Sequence, residues 1–157
     1  MITRLKLVAV LATAALSAQA AAQASPDAKM WNGAWHLNAA KSKFSAAGKE
    51  QSETRTYEFA GGKLTMKSTS SRGGKSLTYS YSAAFDGKYY PMVGNPNADS
   101  ISLTAVNGRE IKAKSRLHGK LTVQSRASVS ADGKHLTLTR TYIAMKGWPM
   151  DVLAFDR

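Results

Sequence analysis

Between residues 51 and 157 a glycine- or asparagine-bearing turn recurs every nine to fourteen residues, and this punctuation constrains the fold more than any other feature. The turns are Gly61-Gly62, Gly73-Gly74, Asp86-Gly87, Asn95-Pro96-Asn97, Asn107-Gly108, His118-Gly119, Asp132-Gly133 and Lys146-Gly147. Nearly all tolerate the positive φ of a tight reversal. The segments between them are short and rich in Thr, Ser, Tyr, Val and Leu, and none keeps a 3.6-residue apolar period, so they read as strands. Eight turns separate nine strands, and residues 33–37 make a tenth. Only residues 38–44 have the character of a short helical turn. Residues 31–44, with Trp31 and Trp35, read as an aromatic entry strand.

Alternation assigns the faces. Ile111, Ala113, Ser115 and Leu117 alternate with Glu110, Lys112, Lys114 and Arg116, and Leu121, Val123, Ser125, Ala127 and Val129 alternate with polar neighbours, so one face is dry and the other wet. To bring the dry faces together, Leu117 is expected opposite Leu121 across a three-residue loop, and Val129 opposite Leu136 across a two-residue turn at Asp132-Gly133. The second register places Leu136, Leu138, Arg140, Tyr142 and Ala144 inward, with Arg140 opposite Ser125. Leu77, Tyr79, Tyr81, Ala83 and Phe85 form a further inward row, joined by Leu64, Met66 and Ser68. Tyrosines, serines and one arginine leave more room than Leu and Ile would, which predicts a cavity with polar anchors.

Hairpin connections alone favour closure, so the expected fold is all-β: one antiparallel up-and-down β-barrel of about ten strands. A two-sheet β-sandwich is the alternative.

The first 24 residues carry Arg4 and Lys6, an apolar run over residues 7–16 and alanine-rich A-x-A sites, the pattern of a secretory signal peptide. Cleavage after Ala24 would leave 133 residues, 25–157, as one domain of a periplasmic or secreted protein. Its ten-residue apolar core is short for a membrane span, and no later segment reaches the roughly 20 residues needed. The chain has no cysteine, which excludes disulfides and a lipid-modified cysteine anchor. Losing Arg4 and Lys6 leaves 20 basic residues against 10 acidic, a formal charge of +10. Export and the spread of Lys and Arg along the whole chain argue against nucleic acid as a partner.

No catalytic motif is present: there is no G-x-S-x-G, P-loop or H-E-x-x-H. His36, His118 and His135 have no metal-ligand spacing, and Asp86, Asp99 and Asp132 read as turn residues. The expectation is no enzyme, no metal and no cofactor. For Arg140 two roles stay open: an anion anchor helped by Tyr142, Tyr79 or Tyr81, or a structural arginine satisfied by a buried carboxylate. Ser115 and Ser125 complete the cavity candidates.

G-A-W-H-L-N at residues 33–38 resembles the G-x-W entry of the calycin barrels, the lipocalins and fatty-acid-binding proteins. G-x-W-x-L-N-x-x-K-S-x-F (residues 33–44), F-D-G-K-Y-Y-P-x-x-G-N-P (85–96) and S-A-D-G-K-x-L-T (130–137) resemble a group of small exported bacterial lipocalin-like proteins of undefined function. The resemblance implies that Gly33 and Trp35 close one barrel end and that an arginine packs across the Trp35 ring, with Arg157 or Arg140 as that arginine. At the positions of the fatty-acid-binding carboxylate clamp this chain has Leu153 and Phe155. The expected function is binding of a small apolar or amphipathic ligand in the interior. The alternative is an envelope module that binds a protein or polyanion through a basic exterior carrying Lys112, Lys114, Arg116 and Arg126.

Overall fold

The computed structural model describes residues 24–45 and 52–157; the expected leader lies outside the described residues except for Ala24. The elements follow the turns. One helical turn, α1 (Ala28–Trp31), leads into β1 (Gly33–Leu37), a 3-10 turn (Ala39–Lys41), β2 (Ser52–Ala60), β3 (Lys63–Arg72), β4 (Lys75–Ala84) and β5 (Tyr89–Val93). Then come β6 (Ser100–Asn107), β7 (Glu110–Leu117), β8 (Lys120–Val129), β9 (His135–Tyr142) and β10 (Met150–Asp156). Each strand pairs antiparallel with its chain neighbour, and β1 pairs with β10, so the sheet is a closed ten-strand barrel with up-and-down order. Closure removes the free edges that a sandwich would keep.

The inward rows bury Leu64, Met66, Ser68, Tyr81, Ala83, Ile111, Ala127, Val129, Leu136 and Leu138, as alternation requires. Val129 pairs with Leu136 and Ser125 with Arg140. Four details differ from the sequence expectation. Leu117 pairs with Lys120, not Leu121: His118 takes a positive φ of 50°, permitting a two-residue turn, and a bulge then sets Arg116 opposite Leu121 and Ser115 opposite Val123. The β8–β9 loop is wider than two residues, because Ser130 and His135 still share a backbone bond and the Gly133 amide donates to the Ser130 carbonyl, although the register is unchanged. β9 ends at Tyr142, so Ala144 is an exposed turn residue instead of an inward one. Trp31 belongs to α1 rather than to the entry strand.

Trp31 and Trp35 are fully buried at the end of the barrel where β1 begins. Asp27 caps α1 by accepting from the Lys29 amide, and its own amide bonds the Gly108 carbonyl in the β6–β7 turn at 2.7 Å. Trp31 Nε1 donates to the same carbonyl at 3.0 Å, and Trp35 Nε1 donates to the Trp31 carbonyl at 3.0 Å. Trp31 meets Tyr57 edge to face, and Phe59 stacks on Phe85 beside them. The Arg157 guanidinium lies over the Trp35 ring, 4.2 Å from its centre, so Arg157 and not Arg140 is the arginine across Trp35. Apolar area, aromatic contacts and satisfied indole N–H groups together plug this end.

Candidate functional site

The opposite half of the barrel is hollow. A cavity of about 460 Å³ runs from Leu103, Ile111 and Leu138 up to Arg72, Lys75, Asn95 and Asn97 in the turns at the far end. Arg72, Lys75 and Asn97 are exposed, so the cavity reaches solvent there. Arg140, Tyr142, Tyr79, Tyr81, Ser125 and Ser115 all lie on its lining. Gly33 starts β1 with φ 122°, at the plugged end with Trp35 and Arg157 and away from the cavity.

The lining has two unlike walls. Strands β5 to β8 and the loop between β5 and β6 supply Met92, Ala98, Ile101, Leu103, Ile111, Ala113, Val123 and Ala127, with Ser115 and Ser125 as the hydroxyl exceptions. Strands β9, β2, β3 and β4 supply the other wall, whose buried polar network is in two parts, the second tied behind the lining to Asp151 of β10. Register explains both. Glu53, Arg55 and Tyr57 are alternate residues of β2, opposite Ser70, Ser68 and Met66 of β3, and Ser68 lies opposite Tyr79 of β4. Side chains on one face of neighbouring strands meet directly. Arg55 Nε donates to Glu53 Oε1 at 2.6 Å, Arg55 Nη2 donates to the Tyr79 hydroxyl at 2.7 Å, and the Ser68 hydroxyl donates to Glu53 Oε1 at 2.8 Å. The Arg55 guanidinium also lies 5.6 Å from the Phe155 ring centre.

The second part joins β9 to β10. Arg140 and Asp151 are register partners, and Arg140 Nη2 donates to Asp151 Oδ2 at 3.0 Å. The Tyr142 hydroxyl donates to the same oxygen at 2.6 Å, while the Ser45 amide and hydroxyl both reach Oδ1 at 2.7 Å. Asp151 is wholly buried and takes four donors, the satisfaction a buried carboxylate needs.

Burial pushes the Glu53 carboxyl up, but Arg55, Arg140 and the Ser68 hydroxyl pull it below the ordinary glutamate value. Burial likewise raises Asp151, and the Tyr142 and Ser45 bonds with the Arg140 charge bring it below its ordinary range. Both are carboxylates at neutral pH. Tyr57 and Tyr81 are raised, chiefly by burial, and stay neutral.

Glu53, Arg55 and Asp151 are site residues that the alternation argument did not select. β2 carries charge on both faces, with Glu53 and Arg55 inward and Glu58 exposed, so its pattern does not separate wet from dry. Two signals were present. Arg55-x-Tyr57 repeats the spacing of Arg140-x-Tyr142, and an inward Arg140 demanded a carboxylate that the next strand supplies at the matched register.

Arg72 and Lys75 stand at the cavity mouth, and the histidines and turn aspartates lie elsewhere. His36 contacts Thr54, His118 contacts Asp99 and His135 contacts Asp156, at three separate places. Asp86 and Asp132 accept from turn amides, and Asp99 accepts from the His118 amide of the neighbouring turn. On the exterior Lys112 and Lys114 are exposed, Arg126 is paired with Glu110 at 2.6 Å, and Arg116 lies 3.8 Å from the centre of the Tyr89 ring. Among the described residues no helix is long and apolar enough to cross a membrane. No protein-family model matches the chain, and no curated protein matches it.

Proposed function

We propose that this chain is an exported, lipocalin-like carrier that holds a small apolar or amphipathic molecule inside the barrel and does no chemistry on it. The observation that carries the reading is the cavity of about 460 Å³, open at one end, with an apolar wall facing a hydrogen-bonding one. That size and mixture are those of a small-molecule pocket. The G-x-W entry with an arginine across the tryptophan ring supports the lipocalin-like grouping, and the leader-like residues 1–24 support export.

The test is to purify the protein from its native host, extract it with organic solvent, and analyse the extract by mass spectrometry. A stoichiometric small molecule, and saturable binding of an uncharged fluorescent lipid probe to the stripped protein, are the expected results. An empty extract together with no saturable binding would overturn the proposal. Recognition through the basic exterior is the weaker reading, because Arg126 is already paired and Arg116 is stacked on Tyr89. It predicts association that falls steeply with salt.

A further inference from the structure

Arg72 and Lys75 lie on the lining only at its solvent-exposed mouth, whereas the charged groups of the inner polar wall are mutually neutralised. Among the described residues of that wall, Glu53 belongs to Arg55 and Asp151 to Arg140, two negative charges against two positive ones. Arg55 is further engaged by the Tyr79 hydroxyl, and both arginines lie near aromatic rings. A ligand carboxylate that reached this wall would find Arg55 and Arg140 already holding carboxylates, with the Glu53 carboxylate itself on the lining. Burying an anion under those conditions is strongly unfavourable. An uncharged hydroxyl meets no such penalty. The Tyr79 hydroxyl and the hydroxyls of Ser70, Ser115 and Ser125 lie on the lining as donors or acceptors, and Glu53, also on the lining, keeps its Oε2 without a hydrogen-bond partner.

From this pairing we infer that the cavity selects an uncharged amphiphile whose head donates a hydrogen bond, such as a hydroxyl, and discriminates against fatty carboxylates. The head sits on the wall built by Glu53, Arg55 and Tyr79, and the chain lies along Ile101, Leu103 and Ile111. This inference rests on the carrier reading above.

The experiment compares dodecanol with dodecanoate, both below their aggregation limits, as competitors that displace Nile red from the delipidated protein at pH 8. Dodecanol is expected to displace the probe at a concentration at least tenfold lower. Glu53→Gln leaves Arg55 without its counter-ion and should tighten dodecanoate by about tenfold, narrowing or reversing the preference. Asp151→Asn should act in the same direction through Arg140 and serves if Glu53→Gln does not fold. Equal or tighter dodecanoate binding by the unmodified protein overturns the inference while leaving the carrier reading in place. Displacement by neither compound, with no saturable uptake of Nile red itself, overturns both.

Discussion

Arg157 and Trp35 close the blind end of the barrel as a pair: the guanidinium lies 4.2 Å from the ring centre, and its Nη2 donates to the Met30 carbonyl at 2.6 Å. One side chain therefore joins the end of β10 to both α1 and β1. Removing it loses a cation–π contact of about 0.5–2 kcal/mol at a site where the arginine is partly solvated. The hydrogen bond adds a similar amount. Arg157→Ala is expected to lower the unfolding free energy by about 1–2 kcal/mol in urea titrations followed by tryptophan emission. Arg157→Lys, which keeps the charge but loses the planar fork, should recover only part. An unchanged midpoint in Arg157→Ala would show that the contact contributes nothing.

The strand count, the eight turns and the inward rows were legible in the sequence because glycine pairs and two-residue alternation are local signals. The register between β7 and β8 was not. It depends on His118 accepting a left-handed backbone and on a bulge at Ser115 and Arg116, and neither has a compositional signature. Part of the site was legible for the opposite reason. Arg140 stood out as the one charge in an otherwise uncharged inward row, whereas Glu53 and Arg55 are hidden on a strand charged on both faces. Asp151 lies one residue into β10, beyond a seven-residue loop, and only the register with Arg140 reveals it. Trp31 looked like strand because α1 is a single turn, too short to show helical periodicity.

The Glu53–Arg55 pair should be costly to break and cheap to replace. Arg55→Met leaves a buried carboxylate with only the Ser68 hydroxyl, and stranding one member of a buried pair costs about 3–5 kcal/mol. Changing both, as Glu53→Leu with Arg55→Met, removes the desolvated charges together and should bring stability back to within about 1–2 kcal/mol of the parent. Urea unfolding of the two single variants and the double variant closes the cycle. If Arg55→Met alone is near neutral, the pair is not buried in solution as it is here.

Acid should destabilise the barrel. In the folded protein Glu53 and Asp151 both titrate below their ordinary values, so the folded state binds fewer protons than the unfolded chain as pH falls. Their contribution is complete above the unfolded carboxylate range of about 4 and is lost as pH drops through the lower folded values. The urea midpoint is expected to stay level from pH 8 to about 5 and to decline below about 4. In Glu53→Gln the decline, measured against that variant's own pH 7 midpoint, should be shallower. A midpoint that rises on acidification would contradict the assignment.

Gly94 is where the barrel wall is most sensitive to a single methyl group. It follows β5, a strand held to β4 by only the pairs Ser80 with Val93 and Tyr81 with Met92. Its φ is +86°, and a Cβ there would stand 2.4 Å from the Thr78 carbonyl oxygen and 3.3 Å from the Tyr79 Cα. Both contacts are backbone, so no side chain can swing aside to relieve them. Gly147, with φ +77° and nothing within 4 Å, has the same backbone demand without the collision. Gly147→Ala should cost only the left-handed strain, about 1–2 kcal/mol. Gly94→Ala should cost at least about 1 kcal/mol more, the scale of backbone shifts forced by overpacking. Because the strain falls on the β4–β5 seam beside Tyr79, amide exchange in β5 should accelerate before it does in β7 or β8. Equal losses in the two variants would mean that β5 moves away from Thr78 freely, and the cavity wall would then be pliant along that seam.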